Sequence, residues 1–246
     1  STDYYFDIDA DKDGDGQKET PFNNFTSKRV NDNSTIHLAK GEYVLNESRE
    51  FSNISFYGES PQKTVLNGNG TTLTFNGVVN FKNLTLTNFK ISNAGDLNGF
   101  NVIFNNLIST PVKNNDFGGA IYAPSNKNIY LDSCTFFDNH AQYGGAIYAN
   151  GGNLTIVNSL FHNVYALNYG GAIVGNSRLK AIINNTRFFN VKSIDDAGGA
   201  IYLLSSSLTA YNLTIANASS TFGPAITALR SDLNISNSSF ENNTAR

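Results

Sequence analysis

The residues with the clearest capacity for chemistry lie early, in the run Asp9-Ala10-Asp11-Lys12-Asp13-Gly14-Asp15-Gly16-Gln17. Counted from Asp11, carboxylates stand at positions one, three and five and a glycine at six, the order in which a loop wraps a calcium ion in oxygen ligands. Such a loop closes with a bidentate Glu at position twelve, where this chain has Phe22, with Glu19 the only nearby acid. The run therefore reads first as a Gly- and Asp-rich turn, and second as a calcium site on Asp11, Asp13 and Asp15. No other cofactor is expected.

Cleavage of a glycosidic bond needs carboxylates that flank it, or acids clustered with an Arg or Lys. The second half of the chain offers Asp116, Asp132, Asp138, Asp195, Asp196, Asp232 and Glu241. Only Asp195 and Asp196 are adjacent, and a neighbouring pair in a loop suits a solvated turn. His140 and His162 lie one repeat apart but slightly out of step. The single cysteine, Cys134, reads as a small buried apolar residue. No catalytic residue is assigned.

The third candidate is a set of tyrosines, Tyr122, Tyr148 and Tyr202, each directly after the same tetrapeptide. Gly-Gly-Ala-Ile recurs at 118–121, 144–147, 170–173 and 198–201, with a worn copy, Gly-Pro-Ala-Ile, at 223–226; the steps are 26, 26, 28 and 25 residues. A fixed period of this length means one structural unit stacked on itself. A second motif keeps the same step. Leu-x-Ile-x-Asn-x-x-Phe appears from Leu154 and from Leu233, with looser copies from Ile129, Ala181 and Leu208, so that Ser133, Asn158, Asn185, Asn212 and Asn237 form a column that Asn83 and Asn106 extend backwards.

Each segment alternates apolar and polar residues over four to six positions, the period of a half-buried strand, and nothing reaches the length of an amphipathic helix. A coil of about 25 residues fits three short parallel strands joined by bends, with coils about 4.8 Å apart. The expected fold is all-β, a right-handed parallel β-helix. Stacked Leu and Ile would fill its core, Asn at a bend would accept left-handed angles and bond the Asn above and below, and Gly-Gly would allow a tight turn. The tetrapeptide Ile never changes, which places it inside. The next position varies as Tyr122, Tyr148, Val174, Tyr202 and Thr227, which places it outside, where the tyrosines would make a flat strip for sugar rings or a partner protein, or simply stabilise the sheet.

Residues 1–35 differ from the rest and read as an N-terminal cap over the solenoid of 36–246, whose open end would otherwise expose strand edges. The C-terminus has no equivalent cover. The whole is one domain. Asn makes up 15% of the residues, charged residues another 15%, and the net charge is −3, so there is no basic stripe of the kind that grips nucleic acid. No apolar stretch nears the roughly 20 residues needed to cross a membrane. The absence of Met and the stop at Arg246 inside an unfinished repeat suggest a piece of a longer protein. Asn-x-Ser/Thr sequons recur, at Asn24, Asn46, Asn53, Asn83, Asn153, Asn212 and Asn234 among others.

The opening, from Tyr4-Tyr5-Phe6 through Thr35-Ile36-His37-Leu38 to Gly58-Glu59-Ser60, resembles the entry into pectate-lyase-like right-handed β-helices. The repeats resemble chlamydial polymorphic outer-membrane proteins, whose Phe-x-x-Asn motif survives here as Phe136 to Asn139 and Phe240 to Asn243. They are most similar to the adhesin-like surface proteins of methanogenic archaea, whose repeats read much like Leu233 to Ala245 here and run on within a few residues into Gly-Gly-Ala-Ile-Tyr. This resemblance implies an extracellular, cell-wall-displayed adhesin that attaches to other microbial or host cells, glycans included, without catalysis. The pectate-lyase likeness implies a polysaccharide lyase or glycoside hydrolase as the alternative, and a structural spacer is the third reading.

Overall fold

A computed structural model describes residues 2–45, 49–93, 95–105 and 116–246. Strands from successive coils pair in parallel, and the predicted columns are real ones. Ile121, Ile147, Ile173, Ile201 and Ile226 partner one another in register, and the first four are fully buried. Leucine or isoleucine at identical heights removes each side chain from water on both sides, about 1.5–3 kcal/mol apiece. The chain folds as a β-solenoid because each coil completes the core of the one before it.

The coil after Tyr143 shows the unit. Ile147–Asn150 is the first strand, Gly152–Val157 the second and Leu160–Ala166 the third. Gly151, Asn158 and Asn163 take positive φ of 67°, 54° and 53°, so the third strand is itself bent and ends in a short fourth segment. Asn tolerates this left-handed geometry better than other non-glycine residues. The Asn column sits at the second bend, and its amides bond coil to coil: Asn212 donates to Asn185 at 2.9 Å, Asn185 to Asn158 at 3.4 Å and Asn158 to Asp132 at 3.2 Å. The row is exposed, not internal. Its backward extension runs through Asn101, whose amide donates to Asn83 at 3.0 Å; Asn106 lies outside the described residues.

The second Gly of the tetrapeptide has a steric cause. A Cβ on Gly145 would lie 2.3 Å from the carbonyl oxygens of Gly171 and Tyr165, and one on Gly171 would lie 1.9 Å from that of Gly199. The turn is pressed between the next coil and the short fourth segment, so only a residue without Cβ fits.

At the N-terminus, Thr2–Phe6 already pairs in parallel with Ser34–Leu38, Tyr4 against Ile36. The stacking therefore begins within the first six residues, and the loop between these strands supplies the cover: Phe25 and Val30 pack with Phe6 and Tyr43 in the core. The Tyr43 hydroxyl, buried at 1% exposure, donates toward the carbonyls of Phe6 and Ala39 and accepts from the Ile8 amide at 3.3 Å. Burial pushes its pKa up to about 12. At the other end Leu229, Leu233 and Phe240 are exposed.

Candidate functional site

Tyr122, Tyr148 and Tyr202 do point away from the core, but they do not form an open flat strip. Tyr148 is only 7% exposed and Val174 only 1%. The reason is a second row of rings that precedes the tetrapeptide. Phe117 and Tyr143 bridge in parallel, and their rings stack at 5.4 Å. Phe117 also meets Tyr122 at 5.5 Å and Tyr148 edge-on at 4.9 Å. Tyr143 lies 4.6 Å from Tyr169, which stacks on Tyr202 at 4.4 Å. Where the outer row loses its ring, at Ala197, the Tyr202 ring of the same coil continues the line.

The six rings make one cluster at mixed angles, from 18° between Phe117 and Tyr143 to 80° between Tyr122 and Tyr148. Edge-to-face and tilted contacts of this kind are themselves favourable, and the five phenols add hydrogen-bonding tips. Burial raises the Tyr148 pKa against a hydrogen bond with Asn176 that lowers it. Burial, with neighbouring hydroxyls and Asp196, pushes Tyr169 up to about 12. Tyr202 is raised by burial and then by Asp196, with Arg230 opposing. Tyr148, Tyr169 and Tyr202 thus remain neutral donors across the physiological range.

A family model described as a right handed beta helix region matches residues 119–246, just over half of the chain. The chain belongs to the right-handed β-helix family. No curated protein matches it. The matched stretch contains five of the six clustered rings, Phe117 standing just before it.

Elsewhere on the β-helix the other sequence candidates are dispersed. Asp13 receives both guanidinium nitrogens of Arg29, at 2.7 and 2.5 Å, and the Asn23 amide at 3.1 Å. These bonds, Arg29 foremost, hold its pKa down at about 2. Asp15 accepts from the Thr20 hydroxyl and, at 3.3 Å, the Gln17 amide. Two of the three carboxylates proposed for calcium are thus bonded within the protein, and among the described residues no three His, Cys, Asp or Glu side chains stand close enough to hold a metal ion. Asp11 is exposed. Burial pushes the Cys134 thiol up to about 12, as for an inert core residue.

The two histidines fall in different rows. His162 stacks between Phe137 and Phe189, each 5.5 Å away. His140 stacks on Tyr165 at 5.2 Å, and the Lys192 ammonium lies 5.7 Å from the same ring. Between these rows runs a groove lined by Asp138, Asn163, Tyr165, Asn190, Lys192 and Asn217. One wall, Asp138, Asn163, Asn190 and Asn217, keeps the repeat step and went unread in the sequence; the facing row, with Tyr165, Lys192 and Ser219, changes from coil to coil. Sequence reasoning also missed the broad exposure of Phe100, Tyr130, Ile182 and Tyr211 on the second-strand sheet.

Proposed function

We propose that this β-helix is an extracellular attachment module that holds an outer aromatic cluster against the surfaces of other microbial or host cells, glycans among them. The observation that carries the reading is that Phe117, Tyr122, Tyr143, Tyr148, Tyr169 and Tyr202 form one continuous aromatic patch on the outside of the coils, with all but Tyr148 partly exposed. Ring faces with phenol tips suit the apolar faces and hydroxyls of sugars. The likeness of the repeats to archaeal adhesin-like proteins supports the same reading, as do the exposed sequon residues Asn24, Asn53, Asn153, Asn212 and Asn234.

A glycan array probed with the chain, run beside an assay for shortened products from plant and microbial polysaccharides, tests it. Binding without new reducing ends or unsaturated products is expected. Product formation would replace attachment by the lyase or hydrolase reading, and neither binding nor products would leave the spacer. A repeat with a calcium chelator present is expected to leave binding unchanged if the aromatic cluster carries it.

A further inference from the structure

A separate pocket of about 320 Å³ lies where the N-terminal cover meets the first coils, lined by Tyr5, Asp7, Lys18, His37, Tyr57 and Glu59 among others. That volume is at the lower bound for small-ligand pockets, room for one or two sugar rings and too little for a large cofactor. Its wall is an aromatic column set by strand register: Tyr5, His37 and Tyr57 partner in turn. Tyr5 and His37 stack face to face at 4.4 Å and 8°, and the Asp3 carboxylate fixes the imidazole at 2.9 Å. Tyr57 breaks the stack, turned 75° to His37, with the Lys82 ammonium 6.0 Å from its ring centre, and it lines the pocket.

The rim is charged. Asp7 follows the first strand, Lys18 stands in the covering loop and Glu59 follows the third partner strand. Asp7 and Glu59, far apart in sequence, both line the pocket. Hydrogen bonds tie Asp7 Oδ1 to the Asp9 amide and the Glu59 amide to the Thr64 hydroxyl, at 3.0 and 3.1 Å, which fixes the backbone that carries them.

We propose that this pocket binds one residue of an uncharged glycan, with hydroxyls donating to Asp7 and Glu59 and accepting from Lys18, and the sugar ring against Tyr57. Two carboxylates facing one ammonium accept hydroxyl protons and repel an acidic sugar, which selects neutral hexoses over uronic acids. Aromatic face plus a few convergent polar groups is the general recipe of a small-molecule site. The pocket stands apart from the outer aromatic cluster, so the two proposals fail separately.

The test is ligand-observed NMR and calorimetry on this chain with methyl β-glucoside, methyl β-galactoside and N-acetylglucosamine, with glucuronate as the acidic control. Saturable binding of at least one neutral probe, on the order of millimolar, is expected. Glu59→Gln, an exposed position that leaves the fold intact, weakens it about tenfold, Tyr57→Ala abolishes it, and Tyr211→Ala, an exposed ring outside both the pocket and the outer cluster, leaves it unchanged. No saturable neutral probe, equal binding of glucuronate, or indifference to both Glu59→Gln and Tyr57→Ala would each overturn the proposal.

Discussion

Two sets of aromatic rings climb the same coils and end in opposite states. Inside, Phe104, Phe136, Phe161 and Phe188 stack at 4.5, 4.6 and 4.4 Å with planes within 8° of one another, all buried. Outside, six rings of the tetrapeptide corner meet at angles up to 80° and remain mostly half-exposed. The inner rings come from one position of the repeat and so repeat one geometry. The outer rings come from two positions, before and after the tetrapeptide, with gaps at Val174 and Ala197 that let neighbours turn. Identity of position yields a parallel column, whereas alternation of position turns neighbouring rings against one another.

The sharpest break in the inner column is Phe161→Ala, which removes a ring held between two others and should cost about 3–5 kcal/mol in chemical denaturation. A loss below about 1 kcal/mol would mean that the stack is not the structural element described. Gly171→Ala comes next. The added Cβ meets a carbonyl oxygen at 1.9 Å, and a loss of about 2–4 kcal/mol is expected, whereas Ala at the solvated outer position Thr227 should change stability by less than about 0.5 kcal/mol.

Tyr43→Phe should cost about 1–3 kcal/mol, since it strands the Ile8 amide, while the Phe6 carbonyl keeps the Ala39 amide at 2.9 Å and the Ala39 carbonyl keeps the Thr64 hydroxyl at 3.4 Å. It also has a pH signature. A phenol raised to about 12 when folded favours the protonated native state, so its contribution is complete below about 10 and fades as pH rises toward 12. Alkaline unfolding should therefore shift less steeply in that window in the Phe variant. The smallest effect belongs to Asp13. Its pKa of about 2, against an ordinary 3.8, gives stability that is present above pH 4 and lost as pH falls through 2; in Asp13→Asn the acid limb over that interval should flatten, and an unchanged limb would contradict the ion pair with Arg29.

The solenoid was legible because Ile121, Ile147, Ile173 and Ile201 are identical residues at nearly equal steps, and a core column needs identical shapes. The bends were legible through Asn, which the backbone angle selects. The outer cluster was legible only by half: the tyrosines after the tetrapeptide repeat, but their covering row reads Phe117, Tyr143, Tyr169, Ala197 and Phe222, a chemical rather than an identical pattern. The N-terminal pocket was hidden for a second reason. Tyr5 and His37 are 32 residues apart and His37 and Tyr57 are 20, so the three become neighbours only once the strands are paired. The short fourth segment, two or three residues long, carries no alternation of its own, and its trace in the sequence is the bend before it, at Asn163, Asn190, Asn217 and Asn242.

The most direct test of the account is retention of mixed microbial cells on beads that carry either the wild-type chain or Tyr143→Ala/Tyr169→Ala, with denaturation curves showing both folded. The account predicts that the wild type retains cells and that the variant loses most of that retention while its midpoint shifts only slightly. Equal retention by the two would contradict the assignment of attachment to the outer aromatic cluster.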